Sequence, residues 1–205
     1  MNKIVIASNN PGKLRELQAL LAPLGIEAVP QGELGVGEAE EPHGTFLENA
    51  LAKARNASRA TDLPAIADDS GLCVPALGGE PGVHSAYFAG KAGERAERDA
   101  RNNAKLVEQL RASDDRTAFY YCVLVLVRTP HDPTPVIADG EWHGEIVLEP
   151  RGTNGFGYDP HFLTVFGKTA AEMPAEAKNR VSHRARALAA LTAKLKGTGD
   201  PTPRP

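Results

Sequence analysis

The chain has 205 residues, 23 Lys and Arg against 26 Asp and Glu for a net charge of −3, and 41% hydrophobic residues. That length predicts one domain, and the ordinary globular composition predicts a buried core. The acidic balance excludes the basic footprint of a nucleic-acid binder, and no run approaches the ~20 apolar residues of a membrane span or the pattern of a signal peptide, so a cytoplasmic protein is expected. Cys73 and Cys122 lack CxxC spacing, which argues against a thiolate zinc site and a disulfide framework.

In chain order, Ile4–Ala7 reads as a strand ending in the tight loop Ser8-Asn9-Asn10. Asn10 can cap a helix with Pro11 at its first position. Leu14, Leu17, Leu21 and Leu24 continue it at helical spacing until Gly25, and Ile26–Val29 is extended again. Gly32–Gly44 is acidic and glycine-rich. Thr45-x-x-Glu48 has the pattern of a capping box and opens a helix to about Arg59. Pro64–Ala67 is a short strand running into Asp68-Asp69-Ser70-Gly71.

Leu77–Gly93 reads as an ordered loop, and Ala96–Arg111 as a helix with a thin stripe of Ala100, Ala104, Val107 and Leu110. Thr117–Arg128, apolar from Cys122 to Val127, is the longest strand and is expected to be buried on both faces. Val136–Asp139 and Glu145–Leu148 return antiparallel with Trp142 near the bend. Arg151–Pro160 is a second glycine-rich loop, Ser182–Lys196 a final helix, and 197–205 a disordered tail. The expected fold is α/β, an elongated mixed β-sheet flanked by helices, with residues 1–196 forming one domain of two lobes and a cleft between them.

Four constellations carry possible chemistry. Ser8, Asn9, Asn10, Pro11, Gly12 and Lys13 form a strand–loop–helix start whose N–H groups, dipole and lysine favour a phosphate. Ala7 and Leu14 break a Walker A pattern. Asp68 and Asp69 are adjacent in an extended chain and point to opposite sides, so one can face a site while the other anchors the loop. Together with the acidic stretch of Glu38, Glu40 and Glu41 they offer oxygen ligands without His or Cys, which suits Mg²⁺. Gly152–Pro160 sets glycines around Phe156, where a flat ligand can stack. Lys178 with Ser182, His183 and Arg184 offers donors to an anion or a carbonyl oxygen. The remaining histidines, His43, His84, His131, His143 and His161, lack metal-ligand spacing.

In content and order, SNNPGK-x-x-E, EE-x₃-TF-x-ENA-x₂-KA, ADDSGL, GG-x-PG-x₂-SA, GFGYDP-x-F and SHR-x-RAL resemble the inosine/xanthosine triphosphate pyrophosphatase family over about residues 1–196. The resemblance implies an enzyme that cleaves ITP, dITP and XTP to the monophosphate and pyrophosphate, with Mg²⁺ and as a homodimer. It implies that Ser8–Lys13 hold the triphosphate, that Glu40 or Glu41 binds metal with Asp69, and that Asp69 accepts the proton. Ser70 and Lys53 would line the phosphate side. Phe156 would stack on the base beside Gly157, Tyr158 and Asp159. Lys178, His183 and Arg184 would contact the base and its 6-oxo group. A pyrophosphatase for modified pyrimidine nucleotides and a non-catalytic nucleotide-binding module are the competing readings; carboxylates at Glu41 and Asp69 argue against the second.

Overall fold

The computed structural model describes residues 3–197; the predicted tail, 197–205, lies outside them from residue 198 onward, as do the side chains of Leu20 and Leu24. Six strands form one mixed sheet in the order β2-β1-β3-β4-β5-β6: β1 Lys3–Ile6, β2 Glu27–Pro30, β3 Ala65–Cys73, β4 Thr117–Val127, β5 Val136–Ile146 and β6 Phe162–Thr164. β1 runs parallel to β2 (Lys3 opposite Glu27) and to β3 (Val5 opposite Ala65), whereas β6 runs antiparallel to β5. The helices are α1 Pro11–Leu21, α2 Phe46–Thr61, α3 Arg95–Leu110, α4 Ala175–Val181 and α5 His183–Gly197. No helix among the described residues is long and apolar enough to cross a membrane.

The chain forms two compact units. The first comprises residues 1–69, 122–140 and 184–205, the second residues 70–121 and 141–183. In the first, Ile4, Ile6, Ile66, Leu124 and Leu126 of the strands pack with Leu17 and Leu21 of α1 and Ala187, Leu188 and Leu191 of α5. Buried faces of this kind supply the main favourable term in folding. In α2, Ala50, Ala54 and Ala57 are fully buried, one small-residue stripe at helical spacing. The second core gathers Leu72, Leu106, Leu110, Tyr120, Trp142, Tyr158 and Phe162. Its rings meet at an angle, Tyr120 to Phe162 at 4.6 Å and Trp142 to Phe162 at 5.2 Å.

Local chemistry explains where the elements follow the sequence and where they depart from it. The Asn10 side chain accepts from the Gly12 and Lys13 amides with Pro11 at the first helical position, the predicted start of α1. At α2, Thr45 Oγ1 accepts from the Glu48 amide, but the Glu48 carboxylate takes the Thr45 hydroxyl rather than a backbone N–H, so only half of the capping box forms.

β3 does not stop at Ala67. It continues through Asp68-Asp69-Ser70-Gly71 to Cys73, because both carboxylates have cationic partners and burial does not eject them. The stripe expected on α3 also shifts. Ala100 and Ala104 are exposed, and the buried face is Asn102, Leu106 and Leu110. Asn102 can lie inside because its amide accepts from Ala89 N–H at 2.8 Å and donates to Ser85 C=O at 3.2 Å.

The two short return strands are one strand, β5, with Trp142 in its middle and fully buried. Gly144 lets it run straight through: a Cβ there would collide with the Leu163 carbonyl of β6. The short β6 and α4 carry no sequence signal of their own and were not anticipated. Cys73 and Cys122 are both free.

Candidate active site

In the first unit, the alternation of β3 sends the two aspartates to different partners, as extended geometry requires. Asp68, fully buried, accepts from Lys13 of α1 at 3.1 Å and from Arg184 of α5 at 3.2 Å. Arg184 also pairs with Glu16, one turn along α1 from Lys13. Asp69 faces α2: Lys53 Nζ lies 3.1 Å from its Oδ1, and the Asn49 amide donates to Oδ2 at 3.3 Å. Asn49 and Lys53 are four residues apart and share one helix face. The same Lys53 ammonium lies 3.1 Å from Glu41 Oε1. Glu40, its neighbour, is exposed.

In these ion pairs four carboxylates (Glu16, Glu41, Asp68, Asp69) meet three cations (Lys13, Lys53, Arg184). Burial alone would raise Asp68, but Lys13 and Arg184 outweigh it and hold its carboxyl well below the usual range. Asp69 is raised, because burial and the Glu41 charge outweigh Lys53 and Lys13. For Lys53, burial works downward, and Asp69, Asp68 and Glu41 together reverse it, so the ammonium is held charged. A buried carboxylate with a raised pKa and an oriented partner is a recurrent property of catalytic bases.

This pocket of charge fits the divalent ion that the family resemblance implies. One cation already reaches an oxygen of both Glu41 and Asp69. Among the described residues no group of three or more His, Cys, Asp or Glu is poised for a metal. Two carboxylates suffice for Mg²⁺, which keeps waters and takes phosphate oxygens as further ligands.

The loop Ser8–Lys13 differs from its expectation in one respect. The amides of Gly12 and Lys13 are capped by Asn10, and the Leu14 amide bonds to the Asn10 carbonyl at 2.9 Å. These N–H groups are therefore not free for a phosphate. The Ser8 hydroxyl accepts from the Asn10 amide at 3.2 Å, and Asn9 and Pro11 are exposed.

In the second unit, Asp159 organises the aromatic loop. Its carboxylate, 2% exposed, accepts from the Phe156 amide at 3.0 Å, from Lys178 of α4 at 2.6 Å and from the Tyr120 hydroxyl at 3.2 Å. Gly155 must be glycine: φ is +76°, and a Cβ would collide with that carboxylate. Gly157 is held by α3, with its N–H donating to Asp99 at 3.1 Å and its carbonyl accepting from Asn103 at 2.9 Å. Two cations lie over the Phe156 ring, Arg95 at 4.9 Å and Lys178 at 5.1 Å.

Tyr158 is less available than the sequence implies, since its ring is in the core and its hydroxyl donates to Ser85 C=O at 2.8 Å. Burial also pushes that hydroxyl's pKa upward. His183 is buried and stacked on Tyr120 at 4.8 Å. Ser70 follows Asp69 in β3 and is half-buried.

Of the residues that the sequence singles out, the structure brings Lys13, Asp68, Asp69, Lys53, Glu41 and Arg184 into one charged cluster and Phe156, Gly157, Asp159 and Lys178 into another; Arg184, expected beside Lys178 and His183, pairs with Asp68 and Glu16 instead. Sequence reasoning gives no role to Glu16 and Asn49, which stand inside the quoted motifs, and singles out neither Asp99 nor Asn103. The available signal was helical spacing, Glu16 three residues after Lys13, Asn49 four before Lys53, and Asp99 four before Asn103.

A family model described as the Ham1 family matches residues 4–194. This chain belongs to the Ham1 family. Its relatives in the Ham1 family include a protein of Burkholderia pseudomallei named dITP/XTP pyrophosphatase, 67% identical over 95% of this chain and 93% of that one. A Bordetella pertussis protein of the same name is 64% identical over 100% of this chain and 96% of its own. Among solved structures, a Ham1 protein from Coxiella burnetii superposes with a TM-score of 0.86 at 48% identity, covering 96% of this chain and 100% of that one. The Ham1 fold is therefore shown by both sequence and structure.

Proposed function

We propose that this chain hydrolyses non-standard purine nucleoside triphosphates, dITP, XTP and ITP, to the monophosphate and pyrophosphate. The observation that carries the proposal is Lys53 shared between Asp69 and Glu41, in a chain whose full-length relatives bear that activity in their name. Asp69 is the base that takes a proton from the attacking water. Asn49 and Lys53 fix its two oxygens, and burial raises its basicity. Glu41 and Asp69 would hold Mg²⁺, which would neutralise phosphate charge and lower the pKa of its water. Glu40 would lie beside that site.

Lys13 and the side chains of Ser8, Asn9 and Asn10 would bind the triphosphate, with Ser70 and Lys53 on the same side. Phe156 would stack on the base, flanked by Gly157, Tyr158 and Asp159. Lys178, His183 and Arg184 are the donors assigned to the 6-oxo group. For Arg184 this requires exchange of a carboxylate, since its donors are engaged by Asp68 and Glu16. The resemblance also supports a homodimer in the cytoplasm, which sedimentation of the purified protein checks for the assembly.

Turnover of dITP, XTP, ITP and ATP in H₂¹⁸O, followed by ³¹P NMR, tests the reaction. The expected result is pyrophosphate with ¹⁸O in the monophosphate and strong preference over ATP. Nucleoside diphosphate with labelled orthophosphate would overturn it.

A further inference from the structure

Arg95 is absent from every motif of the sequence and yet stands over the ring to which the base has been assigned. It opens α3, and its guanidinium carbon is 4.9 Å from the Phe156 centroid. Its ion-pair partner among the described residues, Asp99, is distant at 3.8 Å, with the Arg95 side chain 38% exposed. A pair so open to water holds its arginine weakly. Asp99 meanwhile anchors the Gly157 amide, so Arg95 is tethered to the loop it covers.

A flat base between ring and guanidinium needs about 7 Å, twice the ~3.5 Å contact distance. From 4.9 Å the arginine would withdraw by about 2 Å, a change of rotamer rather than of backbone. A guanidinium stacks on a purine as readily as on phenylalanine.

We propose that Arg95 is a substrate-binding residue that favours a xanthine base over hypoxanthine. The inference rests on the stacking role proposed for Phe156. Xanthine nucleosides lose a ring proton just below neutral pH and then carry a negative charge on the base, whereas hypoxanthine stays neutral until well above it. A cation over the base therefore attracts the first more strongly. The charged groups around the seat are Asp99 and Arg95 of α3, Asp159 of the loop and Lys178 of α4. Lys178 is neutralised by Asp159 at 2.6 Å, which leaves Arg95 as the cation with the weaker partner.

The test is titration calorimetry with XMP and IMP, at pH 5 and pH 8, on the wild type, Arg95→Gln and Arg95→Lys. In the wild type the affinity ratio XMP to IMP rises with pH as xanthine ionises. Arg95→Gln is expected to reduce that rise about two- to fivefold, and Arg95→Lys to keep most of it. A merely structural role would weaken both ligands alike and leave the ratio unmoved. XTP and ITP turnover by the same wild-type preparation separates the two ideas. Turnover with an unmoved ratio in Arg95→Gln overturns the assignment of Arg95 alone, and no turnover of either nucleotide overturns the proposed function and this inference with it.

Discussion

Replacing Asp68 and Asp69 by asparagine, one at a time, should give opposite results from adjacent positions. Asp68 is fully buried and accepts from Lys13 and Arg184. Breaking a buried pair from one side costs about 3–5 kcal/mol, because the remaining charges lose their compensation. The Lys13 side chain is 14% exposed, so water recovers part of the loss and the lower end applies. At ~2–4 °C per kcal/mol for a chain of this size, Asp68→Asn should lower Tm by about 6–12 °C.

Asp69 differs because burial and Glu41 raise its pKa, so its ionised form opposes folding at neutral pH. Asp69→Asn should leave Tm unchanged or higher while reducing kcat by roughly 10²–10⁴. The pH dependence carries the sign. Asp68 is held below its ordinary 3.8, so its contribution is fully present above that value and is lost progressively as pH falls from there toward the depressed folded-state value. The Tm gap between wild type and Asp68→Asn should therefore begin to narrow as the pH falls below about 4. Asp69 contributes in the other direction, its penalty appearing as pH rises through its raised pKa. Differential scanning calorimetry between pH 3 and 8, with turnover at pH 8, measures both. Equal Tm losses for the two variants, or near-wild-type turnover by Asp69→Asn, would refute the reasoning.

Lys53→Met removes a charge that lowers Asp69, so the acidic limb of the kcat/KM profile should move to higher pH; an unmoved limb would show that Asp69 is not the titrating base. Gly155→Ala forces a Cβ onto the Asp159 carboxylate at φ +76°, and should cost ~1–3 kcal/mol in urea denaturation while raising KM. Asn103→Ala leaves the Gly157 carbonyl without its amide donor, worth about 0.5–1.5 kcal/mol, so KM should rise roughly two- to tenfold with kcat little changed, as steady-state kinetics would show.

Much of this molecule is written in short-range chemistry and is legible in the sequence. Asn10-Pro11 starts α1 because cap and ring act within one turn, and the opposite facing of Asp68 and Asp69 follows from strand geometry alone. Where the sequence misleads, a distant partner decides. A run of two aspartates reads as the end of a strand until Lys13, Arg184 and Lys53 arrive from three helices to neutralise it. Asn102 reads as a surface residue until Ser85 and Ala89, 17 and 13 positions earlier, satisfy its amide. The stretch around Trp142 reads as a bend between two strands, and only the proximity of β6 shows why a glycine stands at 144. The same holds at the site: Glu41 is separated from Glu40 only by Lys53, which reaches one carboxylate and not its neighbour.

The convergence of Phe156 N–H, Lys178 and Tyr120 on one carboxylate has a consequence for how the second unit opens. Donors from a loop, from α4 and from β4 all end on Asp159, so none can leave without stranding a buried charge. Loops usually exchange their amide hydrogens through local fraying, far below the free energy of global unfolding. Here the Phe156 amide is bonded to Asp159, so its release is tied to the detachment of α4, and the Gly157 amide is bonded to Asp99, so its release is tied to α3. In deuterium both should exchange slowly, Phe156 in step with α4 and Gly157 in step with α3, in a segment that by its glycine content would otherwise be among the first to label.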